Sequence, residues 1–499
     1  MPQPLYDILF APLATRSAPF LHLPDGGALS GAAFHDLCAR SAAALAACGV
    51  APGDRVAVQV DKSVAALALY GGAVMAGAVF LPLNTAYTAP EVAYFVRDAE
   101  ARLLICDPAS AGALAGLAPR LETLGADGRG SFADLTAAAA PMAAVDRGAD
   151  DLAGLLYTSG TTGRSKGAMM SHLNLLSNAQ TLARAWAFTA KDVLLHALPI
   201  FHTHGLFVAT NVTLDAGGSM ILLPKFDVDQ VFAHLPRATA LMGVPTFYTR
   251  MLADPRLTRE ATAHMRLFIS GSAPLLAETH RAFEARTGQR ILERYGMTET
   301  NMNTSNPYAG ERRAGTVGPA LPGVEVIVTD PDTGEALPQG AVGMVEVRGP
   351  NVFRGYWRMP DKTAAELRAN GFFITGDLGR FDADGYLTIV GRQKDLIIAG
   401  GFNIYPVEVE EVLDAHPDVL ESAVVGVPHP DLGEAVLAVV VPAPGRSPDP
   451  AALIAHAAAS LARFKLPRAV EVVQALPRNA MGKVQKAELR KIYGGRFGG

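Results

Sequence analysis

Cysteine is scarce in this chain. Its 499 residues include only Cys38, Cys48 and Cys106, which form neither a metal-ligand cluster nor a disulfide framework. That pattern fits a reducing cytoplasm. A large excess of charge is also lacking. The net charge of −5 gives no electrostatic reason to expect nucleic acid or an acidic membrane as partner. The first residues, MPQPLYDILF, lack the basic-then-apolar plan of a signal peptide. One stretch, Val64 to Leu83, runs for twenty residues without a charge, long enough to span a bilayer. It is rich in Ala and Gly rather than Leu and Ile, carries Pro82, and is followed at once by Asn84 and Thr85. It reads as a buried helix at 64–76 running into a buried strand at 78–83.

What is present is enough apolar sequence for more than one core. A chain of this length is expected to divide into domains, and its apolar fraction of 49% is ordinary for a globular protein. Helical spacing of Phe34, Leu37, Cys38, Leu45 and Cys48 predicts a helix within 27–50. DRVAVQV at 54–60 reads as a strand, Thr88 opens a helix over EVAYFVRDAE, and 103–106 is a further short strand. Strands at 192–199, 218–223, 240–244 and 266–270 alternate with helices, among them 173–188. The alternation predicts an α/β class with a large N-terminal unit. Residues 107–151, rich in Ala and Gly, read as a surface excursion with one or two poor helices. Short strands over 324–347, parted by turn-rich DPDTGEALPQGAVG, predict a β subdomain. A boundary near 391–395 leaves about 105 residues for a small C-terminal α/β domain. The expected partition is 1–392, a linker at 393–395, and 396–499.

The stretch around which the chain is organised is YTSGTTGRSKGAM at 157–169. Thr158, Ser159, Gly160, Thr161, Thr162, Gly163 and Lys166 supply hydroxyls, glycines and one ammonium after a short buried strand at 153–156. Glycines let backbone N–H groups approach an anion, hydroxyls add donors, and lysine adds a point charge. The spacing does not fit G-x-x-x-x-G-K-[ST], so this is a phosphate cradle of another kind. A plain flexible surface turn is the alternative.

This loop resembles the signature loop of the adenylate-forming superfamily: acyl-CoA synthetases, adenylation domains of peptide synthetases and beetle luciferases. Further motifs follow in order. YGMTE at 295–299 comes after the short strand RILER, with a flat Tyr295 and a hard oxygen donor in Glu299. TGDLG at 375–379 is expected to set Asp377 in a turn. GRQKD at 391–395, GGFNIYPVEVE at 400–410 and PRNAMGKVQKAEL at 477–489 complete the set. The resemblance implies ATP and coenzyme A as substrates and Mg²⁺ as cofactor. It implies that Thr158 and Glu299 sit near the metal, Thr298 faces the α-phosphate and Tyr295 stacks on adenine. It implies that Asp377 and Arg392 hold the ribose, Lys394 is the hinge, and Gly400, Gly401 and Phe402 border the pantetheine tunnel. Lys483 is implied as the lysine of acyl-adenylate formation, where a lysine acetyltransferase acting on it would switch the enzyme off.

The acid is read from what stands before Tyr295. Arg294 occupies a position that is often small or apolar in such enzymes, and a guanidinium there needs an anionic partner. SGSAPL at 270–275 supplies Ser272, and PIFHTHGL at 199–206 supplies His202 and His204. ERYGMTETNMNTSNP at 293–307 and PIFHTHGL together resemble malonyl-CoA synthetases, which implies malonate, or methylmalonate, as the acid. The alternatives are another small acid such as oxalate, or an adenylating enzyme that loads a carrier-protein pantetheine. In a further alternative Arg294 pairs internally with Glu293 or Glu299 and reads nothing.

Overall fold

Short β-branched runs that are apolar on both faces form parallel strands, because helices cover both sides of such a sheet. The computed structural model describes residues 3–158, 165–400, 402–479 and 483–497. A six-stranded sheet runs in the order Arg120–Thr123, Leu103–Cys106, Arg55–Gln59, Val79–Pro82, Leu152–Thr158, Lys166–Ser171. All its pairings are parallel except the last, a hairpin across the glycine-rich loop. An eight-stranded sheet is ordered Asn301–Ser305, Leu292–Met297, Leu267–Ser270, Ala240–Gly243, Val193–His196, Ser219–Leu222, Pro19–His22, Ala28–Ser30. Its two outer pairings are antiparallel and the rest parallel. One apolar cluster joins both sheets.

The uncharged stretch after 63 is helix Val64–Met75 followed by strand Val79–Pro82. Its small residues have a packing cause. A Cβ on Gly71 would come within 2.5 Å of Cys38 Sγ, and one on Gly72 within 2.9 Å of the Ala42 backbone nitrogen. Helix Gly31–Ala47 therefore lies almost backbone to backbone on it. No helix among the described residues is long and apolar enough to cross a membrane. All three cysteines are free and buried. Thr88 caps helix Ala89–Asp98 through a reciprocal box with Glu91.

Three expectations need correction. The segment 107–151 is not only an excursion with poor helices. Arg120–Thr123 pairs in parallel with Leu103–Cys106 as the sheet's edge. Its charged residues hid it, since an edge strand keeps one side in water. Tyr295 to Met297 do not follow the strand before them but belong to it. Asp377 does not stand in a simple turn. It lies within strand Phe373–Phe381 of a four-stranded antiparallel sheet, paired with Arg392 on Leu387–Arg392. The turn signal of TGD is real but local. Gly376 has φ +74° at an irregularity in the pairing with Gly343–Arg348, and such a bulge re-aims a side chain without ending the strand.

The remaining sheet belongs to a smaller C-terminal domain. Strands Phe402–Ile404, Ile397–Ala399, Gly433–Pro442 and Val419–His429 pair antiparallel, and Ala469–Val472 joins Gly433–Pro442 in parallel. Two apolar clusters built only from residues at and beyond Ile397 form its core. The molecule is thus α/β, with a large N-terminal domain and a smaller C-terminal one.

Candidate active site

The carboxyl ends of parallel strands in both large sheets point to one region, where open α/β sheets hold ligands. The glycine-rich loop leaves Leu152–Thr158, the histidine turn leaves Val193–His196, Gly271 and Ser272 leave Leu267–Ser270, and the turn with Thr298 and Glu299 leaves Leu292–Met297. Within the glycine-rich loop, Ser159, Gly160, Thr161, Thr162 and Gly163 lie outside the described residues. Its two rims are described. Thr158 pairs with Lys166 across the hairpin. Lys166 Nζ lies 3.2 Å from Glu366 Oε2 and 4.1 Å above the Tyr356 ring. The Tyr356 hydroxyl stands 2.6 Å from Glu366 and 3.2 Å from Glu299. Glu299 is 5% exposed, and burial raises its pKa while Lys166 and Tyr356 oppose the rise. Lys166 is thus engaged by the Glu366 carboxylate and the Tyr356 hydroxyl.

Asp377, Arg392 and Tyr295 meet. Arg392 Nε is 2.8 Å from one Asp377 oxygen, and the Tyr295 hydroxyl donates to the other at 2.6 Å. The neighbouring Asp377 carboxylate raises the Arg392 pKa against the opposing effect of burial. Lys483 reaches the same cleft from the smaller domain. Its backbone N–H donates to Asn479 Oδ1 at 3.0 Å. The side chain is open to cleft solvent but surrounded by protein on most sides. That surrounding lowers its pKa, as does Arg392, while Asp377 and Glu299 raise it.

The strand's two-residue period sends Tyr295 and Arg294 to opposite faces. Tyr295 turns to the Asp377 side and Arg294 into a pocket where it is 3% exposed. The guanidinium lies so close to Gly271 that a Cβ there would sit 2.4 Å from Cζ. Among the described residues, Arg294 Nε and Nη2 have no hydrogen-bond partner. Glu293 acts on it electrostatically but makes no hydrogen bond to it among the described residues. One Glu293 oxygen accepts from the Leu275 N–H at 2.9 Å, and burial pushes the carboxyl up to about 8. Burial also pulls the Arg294 pKa down to about 9, with Tyr248 and Glu293 opposing the fall. Across the pocket His204 Nδ1 lies 3.2 Å from Ser272 Oγ, and Ser272 holds φ +71°, a strained backbone for a side-chain-bearing residue. Burial and the positive fields of Lys483 and Arg294 bring His202 down to about 3, so its ring is neutral. A buried guanidinium with two nitrogens unbonded, beside neutral His202 and His204, could receive an anion.

The pattern of AMP-binding enzymes matches residues 13–357. The chain belongs to the AMP-binding enzyme family. The pattern of that family's C-terminal domain matches 408–483. The superfamily expected from the sequence is the one found. The crystal structure of ATP-bound MatB from Rhodopseudomonas palustris has 58% sequence identity to this chain, covers 100% of both chains and superposes with a TM-score of 0.97. The malonate–CoA ligase of Arabidopsis thaliana is 35% identical over 489 residues, 89% of this chain and 78% of that protein. A probable CoA ligase of Humulus lupulus is 42% identical over 369 residues, 68% of this chain and 60% of that protein. This chain therefore spans about three fifths of the Humulus relative.

In this AMP-binding enzyme the residues singled out by sequence fall into two groups. Lys166, Tyr295, Glu299, Asp377, Arg392, Lys483, Arg294, His202 and Ser272 are linked through the contacts and electrostatic influences above, with Thr158 and half-buried Thr298 on the same turns. Gly400 and Phe402 stand apart. They line a cavity of about 200 Å³ walled by residues of the smaller domain, among them Phe464, which stacks on Phe402 with ring centroids 4.6 Å apart. Gly401 lies outside the described residues. Lys394 sits in the short turn Gln393–Asp395, and Asp395 is paired with Arg490 at 2.7 Å. Sequence reasoning missed Gly271, Tyr356 and Glu366. Gly271 lies in SGSAPL, but only the approach of Arg294 shows why no side chain fits there.

That approach gives a first prediction. If the pocket takes a second carboxylate, Gly271→Ala, which forces the guanidinium aside, is expected to lower kcat/KM for a dicarboxylate by about 10², the scale of a 1 Å misplacement, while a monocarboxylate of similar size loses much less. Steady-state kinetics with malonate and butyrate checks it. An equal loss for both would mean that Gly271 serves the backbone and not Arg294.

Proposed function

We propose that this enzyme ligates malonate to coenzyme A through malonyl-AMP, releasing AMP and pyrophosphate. The observation that carries the reading is Arg294, buried and without a partner at two of its nitrogens. The likeness to malonate–CoA ligase supports it. In the first step one malonate carboxylate oxygen attacks the α-phosphorus of ATP, a P–O bond forms, and the bond to pyrophosphate breaks. In the second, the CoA thiol sulfur bonds to the acyl carbon and AMP leaves with the bonding pair.

The chain's residues divide this work. The loop from Thr158 to Lys166 cradles the phosphates, with Ser159, Gly160, Thr161, Thr162 and Gly163 donating from within it. Tyr295 packs on adenine, and Asp377 and Arg392 orient the ribose. Thr298 faces the α-phosphate. Lys483 stabilises charge that develops there. Arg294, Ser272 and His202 hold the second malonate carboxylate. Mg²⁺ suits Glu299 and Thr158, because the buried carboxylate is only partly compensated and both offer hard oxygens. When bound it would neutralise phosphate charge.

We place the domain boundary at 393–395, with Lys394 the pivot that swings the Lys483 face out and brings Gly400, Gly401 and Phe402 to the pantetheine thiol. Lys394→Pro is expected to leave one half-reaction and abolish the other, because proline fixes φ where the rotation needs it free. Separate assays of pyrophosphate release and thioester formation decide this. Wild-type overall turnover would remove Lys394 from the role. Solvent access to Lys483 also suits it to a lysine acetyltransferase, and acetylation there removes the charge the first step uses. Enzyme carrying stoichiometric acetyl-Lys483 at full activity would end that idea. Residence in the cytoplasm is supported by the three free thiols.

The test of the function is ATP-dependent pyrophosphate release with acetate, malonate, methylmalonate, succinate and oxalate, followed by thioester formation with CoA. Malonate is expected to give the highest kcat/KM. A preference for acetate would leave Arg294 without its assigned partner.

A further inference from the structure

Lys62 follows strand Arg55–Gln59 and is 7% exposed. Nothing in the chemistry above uses it. Its Nζ lies 2.6 Å from Nδ1 of His196 and donates to the carbonyl oxygens of His196 at 2.7 Å and Leu198 at 2.9 Å. A lysine ammonium offers three donors and no acceptor, so these three acceptors use it completely. All of them belong to the end of strand Val193–His196 and the turn after it. Lys62 therefore ties the carboxyl end of a strand in the six-stranded sheet to that of a strand in the eight-stranded sheet.

The far side of His196 continues the connection. Nε2 lies 2.9 Å from the Gly205 carbonyl oxygen, which also accepts from Thr210 Oγ1 at 3.1 Å. A carbonyl only accepts, so its partner assigns the ring proton to Nε2 and leaves Nδ1 as the acceptor for Lys62. Gly205 in turn packs on Pro199 so tightly that a Cβ would come within 1.9 Å of the Pro199 oxygen. The turn 199–205 is closed at both ends, and it carries His202 and His204. His204 leads into the π-helical stretch His204–Thr210, an irregular winding common at functional sites.

We propose that Lys62 is a positioning residue for recognition of the second carboxylate. By clamping His196 and the carbonyls of His196 and Leu198, it sets the turn that holds His202 and His204 against Arg294. The inference rests on the malonate reading of that pocket. Lys62 acts through its neighbours and need not touch substrate. A residue that only filled space here could be apolar, since burying an amine without all its partners is costly.

The test uses the full chain with Lys62→Met, which keeps the stem and removes every bond, and Lys62→Gln, which keeps amide donors on a shorter stem. Thermal unfolding, kinetics with malonate and butyrate, and ¹⁵N spectra of the histidine rings are compared with wild type. In Lys62→Met, KM for malonate is expected to rise about tenfold or more, with kcat and the butyrate constants changed by less than about threefold. Lys62→Gln should lie between. The ring signals of His202 and His204, identified with His→Gln variants, should move while that of His280 stays. Equal losses for both acids, unmoved rings, or failure of both variants to fold would each overturn the proposal. If wild type does not use malonate, the malonate reading fails by itself. The ring signals then decide the clamp alone: displaced rings uphold it and unmoved rings overturn it.

Discussion

Arg294→Ala is expected to lower malonate kcat/KM by about 10² to a few times 10³, because breaking a buried ion pair costs about 3–5 kcal/mol and each 1.4 kcal/mol is about tenfold. The malonate carboxylate would otherwise enter a pocket from which its counter-charge has gone, leaving neutral His202, His204 and Ser272 to solvate it. Butyrate has no second charge to lose, so the variant holds or gains activity with it. Arg294→Lys recovers only part of the malonate activity, since an ammonium lacks the planar fork that meets a carboxylate at two points. ATP binding changes little, because Tyr295, on the other face of the strand, carries the contact to Asp377. Steady-state kinetics of both variants with malonate and butyrate, under saturating ATP and CoA, is the measurement. A parallel fall for both acids would turn Arg294 into a scaffold residue and take away the main support for a dicarboxylate substrate.

How far this pocket was legible in the sequence depends on what each residue needed. Arg294 stood out because a guanidinium beside the Tyr of YGMTE is chemically odd. That no carboxylate hydrogen-bonds it among the described residues is a fact of three dimensions, since Glu293 stands beside it in sequence yet accepts from the Leu275 N–H, and Glu299 accepts from Tyr356. Ser272, His202 and His204 lie in the motifs SGSAPL and PIFHTHGL, but the bond that joins Ser272 to His204 crosses 68 positions. Gly271 carried no signal of its own. Lys62 was harder still, because it follows a strand as an ordinary loop lysine and its acceptors lie on another sheet.

The same division runs through the fold. Strands such as Leu103–Cys106 and Leu267–Ser270, buried on both faces, announce themselves as short apolar runs. Arg120–Thr123 does not, because at an edge only one side is covered. Asp377 was recognised by its motif and misplaced in its geometry. Gly376 signals a turn to any local reading, and only the pairing of Asp377 with Arg392 reveals a strand that bulges and continues. Motif chemistry survives such an error, since the carboxylate still points at Tyr295 and Arg392.

The second large effect falls on Lys483. Its ammonium lies within the electrostatic reach of Asp377, Glu299, Arg392 and Arg294, so it enters the cleft where nucleotide and acid would meet. Gly400 and Phe402 line their own cavity on the smaller domain. Under the proposed reaction this arrangement would serve the first half-reaction, in which negative charge builds on the α-phosphate oxygens as the carboxylate attacks. Removing one preorganised donor from such a site costs about 10²–10³ in rate. Here the donor also carries a full charge, so Lys483→Ala should reduce adenylation by at least about 10³. Under the proposed alternation the second half-reaction would use the other face of the domain and no lysine at this place. Thioester formation from supplied malonyl-AMP and CoA should therefore stay within about threefold of wild type. The two rates are measured separately, by pyrophosphate release and by malonyl-CoA formation from the adenylate. If both fall together, Lys483 acts in both steps or holds the domain in place, and the alternation of two faces about Lys394 loses its footing.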